Sequence, residues 1–597
     1  MMKKVIYAFL SCFVLLLTGG CREQDCVEEI DTSHARNSLY LNLSLRVNDG
    51  SGAVSRATGD EILGTSDENA IHSLYIYLFN SSTNDLVYWA DITNLYQSDD
   101  TKTYVIKLQD ISLPEGVSIY LAANLTLEQA ESIKRPEATY KTNATSYTRA
   151  INEFAPYEFM PRFGVAGISK RDIGIAMTGQ AVSGSDKVFD IHGYTSPDKP
   201  LALTVNLKRV VAKALLTVDA ADNSEGKELT VGSLDGVAYA VIASGNENKG
   251  WVRISDIYYF PNGTNKSLHW FEQEDNADPN PDLTKYISSA GTDAELSLNT
   301  EKYQNDFVYY NQTEQYKLYY AYYQAQKFDQ TTDNNSYTAG MYFLENTFAI
   351  PEETSGYKTQ LENYKLALPM VTSISIALRY TPKEIYVEKG LYRNLDEGEG
   401  MSASEREKWA NMKTKYGDWK NFEEETTSTD EVKNIVFATE ADAQFVLTMS
   451  LKLNKAYISS TEYGNQVTNG TYSGSKFPDN TFFAFTPDTD TGEDFLYHYY
   501  TYGARQEIAN PIYYVPYVGG WAYYYTYLDG DSKDFGEGTN SSKAEYSDSQ
   551  VTRNTYYILK LNKITRLGGS KTDPNNIQVN TTVVPWTKGG RLDVDLW

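Results

Sequence analysis

The chain has 597 residues, enough for two or more domains and a sizeable core. Its 53 Lys+Arg against 79 Asp+Glu give a net charge of −26. So acidic a surface repels nucleic acid, whose binding depends on neutralising phosphates with Lys and Arg. With 49 Tyr and 22 Phe beside many Thr and Val, the composition favours pleated, half-buried sheet surfaces.

At the start, Met1-Met2-Lys3-Lys4 supplies positive charge and Val5 to Leu17 an apolar core. That core is shorter than the roughly 20 residues a mature spanning helix needs. Thr18-Gly19-Gly20 then places small residues directly before Cys21. The pattern is a secretory signal over residues 1–20, and the cysteine at its end favours the lipoprotein version, with Cys21 taking the lipid. An ordinary signal peptide that ends near a cysteine is the plainer alternative. The cysteines are Cys12, Cys21 and Cys26. A chain cut after Arg56 would contain none and would rely on its core and sheets instead of disulfides.

Leu39, Leu41, Leu43, Leu45 and Val47 alternate with Tyr40, Asn42, Ser44 and Arg46, the period of a half-buried strand. A Gly/Ser-rich loop follows, with a lone basic residue in Ser55-Arg56-Ala57-Thr58-Gly59. A protease cutting between Arg56 and Ala57 would remove the lipid anchor and this strand together. Residues 21–56 therefore read as a propeptide carrying a removable strand.

Further strand-like runs are expected at 71–79, 104–108, 117–121, 201–207, 211–218, 445–453, 556–561 and 577–583. Turn signals such as Pro114-Glu115-Gly116 and Pro261-Asn262-Gly263 separate them. Spacing of this kind predicts antiparallel sandwiches rather than an alternating βα fold. The Ser/Gly/Asp-rich stretch 183–199 is the expected linker, dividing an N-terminal domain (57–190) from a C-terminal one (191–597). One helix is expected: Ser402 to Glu405 has the capping-box spacing, and Trp409, Met412 and Tyr416 share a face before Gly417. It falls in an acidic polar stretch, 393–433, expected to be a surface insertion.

Chemistry-bearing patterns are sparse. His34, His72, His192, His269 and His498 have no partner at metal-ligand spacing, and HExxH, G-x-S-x-G and glycine-rich phosphate loops do not occur. His72 reads as a solvated strand histidine. No catalytic residue, metal or other cofactor is expected. Asp488-Thr489-Asp490-Thr491-Gly492 opens like a calcium loop, but Tyr499 stands where the twelfth-position acid belongs, and Asp529-Gly530-Asp531 is similarly incomplete. Residues 497–527 contain eleven tyrosines and 303–323 eight more. Exposed, such rings could bind sugars or a protein; the plainer and favoured reading is core and cross-strand pairing.

At the end of the chain Ile577, Val579, Thr581 and Val583 alternate, Pro585 interrupts, and Leu592, Val594 and Leu596 alternate again before Trp597. A strand cut away from a sheet leaves unpaired backbone beside uncovered core, and a strand of matching alternation can fill it. If the tail of one molecule fills the groove of the next, the contact is head-to-tail and builds a filament. The alternative is a permanent edge strand at 39–47 and an ordinary last hairpin.

Taken together, these segments resemble the lipoprotein-derived fimbrillins, subunits of type V pili, and most closely the minor-fimbrium stalk subunit. The lipoprotein signal, the early strand and the Arg56-Ala57 loop carry the likeness at the start. Met177-Thr178-Gly179, followed by Val205 to Lys213 (VNLKRVVAK), is similar to the central signature, and Val551 to Tyr557 (VTRNTYY), with Gly568 beyond, to the C-terminal one. The resemblance implies an all-β fold of two tandem transthyretin-like antiparallel β-sandwich domains, with a short helical insertion in the second. It also implies an outer-membrane lipoprotein precursor, lipid-anchored only until an arginine-specific, trypsin-like surface protease cuts it. Extracellular fimbriae would then assemble by strand exchange with other fimbrial subunits. On this resemblance Cys21 takes the lipid, Arg56-Ala57 the cut, Leu39 to Val47 is the strand removed, and 577–597 the donor. A tip adhesin bound to a host protein or glycan, or a surface glycan-binding lipoprotein, are the alternatives.

Overall fold

The computed structural model describes residues 38–47, 70–95, 102–107, 114–140, 174–219, 231–234, 237–244, 247–273, 278–280, 283–288, 297–308, 319–320, 322–324, 341–347, 372–390, 401–424, 432–453, 479–485, 498–501, 514–528, 551–564 and 592–596. The protein is all-β with a few short helices. Its first sheet runs in the order Leu86–Asp91, Leu74–Asn80, Val117–Ala123, Met177–Val182, Leu201–Arg209, Ser38–Val47, Lys102–Lys107, with Val188–Phe189 added to Val117–Ala123. This sheet wraps around one apolar core. Leu39 and Leu41 of the leading strand meet Ile76 and Leu78, Leu121 and Val205 there.

The 74–80 strand shows how period-2 patterning serves two cores at once. Leu74, Ile76 and Leu78 enter the first core, while Tyr75, Tyr77 and Phe79 point into a second, shared with Trp270, Phe271, Val211 and Leu215. Phe271 meets Tyr77 edge-on at 5.8 Å between ring centroids. Both faces of this strand are buried, which needs apolar residues at every position rather than at alternate ones.

Beyond Val210 the chain enters a different set of sheets. Val211–Asp219 is hydrogen-bonded in the order Tyr322–Gln324, Val211–Asp219, Tyr556–Ile564, Leu592–Leu596, with Met341–Leu344 also on Val211–Asp219. Val231–Leu234, Val237–Ser244, Glu247–Asn262, Ser373–Pro382 and Trp521–Tyr527 form another sheet. Ala212, Ala214 and Leu216 of the former pack with Ile257, Tyr259 and Ile376 of the latter in the largest core. A third sheet contains Val432–Val436, Glu384–Glu388, His498–Tyr500, Phe482–Phe485 and Tyr514–Tyr517.

Three expectations need correction. The 183–199 stretch is built into the first sandwich: Phe189 and Ile191 lie in its core, and the following strand, Leu201–Arg209, is one of its inner strands. The change of sheets falls instead at Val210. Residues 445–453 form part of a helix, Glu440–Leu453. Its apolar residues fit both periods, and the start signals decide. The Thr439 hydroxyl accepts from the Asp442 amide at 3.3 Å, and Glu440 and Asp442 favour the positive helix N-terminus. Finally, the 393–433 stretch is more than a surface insertion. Helix Ala403–Lys415 starts on the expected capping box, with Glu405 N to Ser402 Oγ at 3.2 Å and Ser402 N to Glu405 Oε2 at 2.6 Å. A second helix, Gly417–Glu424, follows directly, and Trp409, Met412, Trp419 and Phe422 are buried in the largest core.

Candidate strand-exchange groove and the seam behind it

The leading strand, Ser38–Val47, lies inside its sheet, not at an edge. It runs antiparallel to Lys102–Lys107, pairing Ser38 with Lys107 through Leu43 with Lys102. On its other side it runs parallel to Leu201–Arg209, pairing Leu41 with Leu201 through Val47 with Leu207. The amide of Tyr40 donates to the Tyr194 carbonyl at 3.0 Å, so the 183–199 stretch covers its first residues. Leu39, Leu41 and Leu43 are at most 1% exposed, and Leu45 packs against the same core. Taking this strand out would open a groove between the 102–107 and 201–209 strands, floored by apolar side chains and walled by unpaired backbone.

The tail strand, Leu592–Leu596, is an edge among the described residues. It runs parallel to Tyr556–Ile564, with Leu592 opposite Leu559, Val594 opposite Leu561 and Leu596 opposite Ile564. In this register Asp593 and Asp595 stand opposite Lys560 and Lys563. Cys21, Arg56, Ala57, Ile577, Val579 and Val583 lie outside the described residues.

The three segments behind the sequence resemblance converge where the two sets of sheets join. Gly179 must be glycine: a Cβ there would stand 2.3 Å from the Asn206 carbonyl oxygen, because the 177–182 and 201–209 strands approach closely. Next to it the Thr178 hydroxyl donates to the Trp270 carbonyl at 2.7 Å. Arg209 is fully buried at the end of its strand, and its Nη1 donates to Asn554 Oδ1 at 3.0 Å. Asn554, at φ 56°, occupies the left-handed region that asparagine tolerates. Its amide donates to the Val211 carbonyl at 2.8 Å, and the Lys213 amide to the Thr555 carbonyl at 2.9 Å.

Arg553 is the most heavily bonded group of this seam. Its Nε donates to Glu345 Oε2 at 2.9 Å, Nη2 contacts Glu345 Oε1, Nη1 donates to the Trp270 carbonyl at 3.0 Å, and Nη2 to the His269 carbonyl at 2.7 Å. Burial alone would lower the guanidinium, but the Glu345 carboxylate beside it more than reverses this and raises it. On the far side Asp278 accepts from Asn265 Nδ2 and the Thr347 amide, each at 2.8 Å, and from the Asn280 amide at 2.7 Å. Burial raises its carboxyl, against those three bonds, and Glu345 adds to the rise. Glu345, Trp270 and Asp278 escaped the sequence reading, since buried partners far apart in the chain leave no local pattern.

Among the described residues no three His, Cys, Asp or Glu are placed to hold a metal, and no helix is long and apolar enough to cross a membrane. Tyr303, Tyr517 and Tyr524 from the tyrosine-rich blocks are buried, where they serve packing. Tyr258 and Trp521 pair at 5.5 Å. His72 takes part through its backbone amide, which donates to Asn124 Oδ1 at 2.7 Å.

The chain is all-β, with its leading strand inside the first sheet rather than at its edge. Over residues 41–156 the chain matches the family described as "Major fimbrial subunit protein (FimA)", a segment that holds most of the leading strand and four further strands of the first sheet. Among solved structures it is similar to a fimbrilin (fimA) from Porphyromonas gingivalis W83 at 11% identity, covering 94% of this chain and 99% of that one, TM-score 0.33. It is also similar to the tip fimbrial protein Mfa3 of Porphyromonas gingivalis, at 13% identity over 58% and 81% of the two chains, TM-score 0.23. A fimbrial assembly protein from Parabacteroides distasonis ATCC 8503 shares 14% identity over 39% and 65%, TM-score 0.20. No curated protein matches the chain. That match supports a structural role in fimbriae.

Proposed function

We propose that this protein is a fimbrial stalk or accessory subunit made as a lipoprotein precursor and activated by losing its leading strand. In this reading Cys21 carries the lipid at the outer membrane, and an arginine-specific, trypsin-like protease cuts between Arg56 and Ala57. The 577–597 tail of another subunit then takes the vacated groove. The chain would comprise two sandwich domains meeting at Val210. The observation that carries the reading is the position of Leu39, Leu41 and Leu43, buried on a strand flanked on both sides. An inner strand that a single cut detaches is costly to lose without a replacement. The alternating Ile577, Val579 and Val583, or Leu592, Val594 and Leu596, have the spacing a replacement needs.

The test is limited trypsin treatment of the purified precursor, followed by N-terminal sequencing and particle sizing. A new terminus at Ala57 together with ladders or filaments is expected, and deletion of 577–597 should abolish the filaments while sparing the fold. Cleavage at Ala57 that leaves a permanent monomer would refute the stalk assignment and turn attention to a tip adhesin.

A further inference from the structure

The buried ionic seam is unused by strand exchange itself, yet it lies between the two places where a filament would grip the subunit. Resting on the strand-exchange reading, the grip on one side is the 201–209 strand, which lines the groove. On the other side it is the chain leaving the end of the 556–564 strand toward the tail. Between them the path is short. The 201–209 strand continues through Val210 into 211–219, and 211–219 runs parallel to 556–564, pairing Lys213 with Tyr556 through Val218 with Leu561.

We propose that this seam, the 211–219 and 556–564 strands with Arg553–Glu345 and Arg209–Asn554 at their leading ends, is the element that carries filament tension. Tension would hold the 211–219 strand at its first residue and draw the 556–564 strand from its last. Parallel neighbours pulled at opposite ends slide in shear, so the bonds along all six register pairs are loaded together rather than opened one after another. Sliding would also drag the 551–555 turn out of its anchorage. That turn is held to the first sandwich through Arg209, to the 211–219 strand through Val211, and to Glu345, His269 and Trp270 through Arg553. An ion pair of this kind adds little net stability over well-packed apolar residues, but it fixes position. Fixing the end of a shear-loaded strand is a use in which that matters.

Single-molecule pulling on the monomeric precursor tests this without requiring assembly, so its outcome stands apart from whether cleaved chains polymerise. Cys12, Cys21 and Cys26 are replaced by Ser, and handles are attached at Ala202→Cys with Lys563→Cys, or at Asp219→Cys with Lys563→Cys. The first pair loads the seam in shear; the second opens the same two strands from one end. The shear pair is expected to rupture at no less than double the force of the other, and equal forces would overturn the proposal. The Arg553→Met, Glu345→Leu double variant should lower the force for the shear pair and leave the other unchanged. An unchanged shear force there would remove the ion pair from the load path. If the variant does not fold, the comparison of the two pulling directions in the parent chain still decides.

Discussion

The leading strand Ser38–Val47 has a neighbour on each side and buries Leu39, Leu41 and Leu43, whereas among the described residues the tail strand Leu592–Leu596 has one neighbour over five residues. Burying a leucine side chain stabilises by about 1.5–3 kcal/mol, so those three contribute on the order of 5–9 kcal/mol, as much as many whole domains have in hand. A strand held by five cross-strand pairs worth roughly 0.2–1 kcal/mol each adds about 1–5 kcal/mol. By this pairing term the tail strand is held less firmly than the leading strand, while the groove is costly to leave empty, and both properties suit exchange between molecules.

That contrast can be attacked from its strongest side first. Deleting residues 38–47 from the precursor should cost about 5–9 kcal/mol and unfold the first sandwich, with recovery when a peptide of sequence 38–47 is supplied; urea melts with and without peptide read this. An unchanged midpoint would break the contrast. Arg553→Met should cost about 3–5 kcal/mol, because it leaves the Glu345 carboxylate buried without its partner, again seen in the urea midpoint. Leu41→Ala should cost about 2–5 kcal/mol through lost burial and the cavity left behind. Deleting 592–597 should cost about 1–5 kcal/mol, and a loss as large as that for deleting 38–47 would erase the distinction between the two strands.

The smallest effect concerns pH. The Asp278 carboxyl is raised above its ordinary value in the folded protein, so the fold favours its protonated form. The stability this lends is present below the ordinary carboxylate range and is lost as pH rises through the raised native value. Asp278→Asn should remove that decline, flattening the acid-side stability profile measured by thermal melts. A profile that keeps the same slope would place the titration elsewhere.

Much of the fold was legible in the residues. The alternation of Leu39 to Val47 announced a strand with one apolar face, and the capping box at Ser402 placed a helix start to the residue. Alternation could not say whether the leading strand was inner or edge, because that depends on the 102–107 and 201–209 strands, far away in the chain. Phe445 to Leu453 misled for a related reason: a helix buried around most of its surface carries apolar residues at period 2 as well as 3.6. Phe189 and Ile191 were hidden by the polar residues around them, so a stretch composed like a linker became part of a core. At the seam, Thr178, Arg209 and Arg553 were singled out as parts of the resemblance, but nothing local linked them to Trp270 or Glu345.

The most direct test of the exchange account is competition. Precursor cut after Arg56 is mixed with an isotopically labelled peptide of sequence 38–47, and filament growth and bound peptide are followed together by light scattering and native mass spectrometry. The account predicts that the peptide stays bound at one per subunit and halts growth in proportion to occupancy. Filaments that grow at the same rate with the peptide bound would show that the groove of the leading strand is not where subunits join.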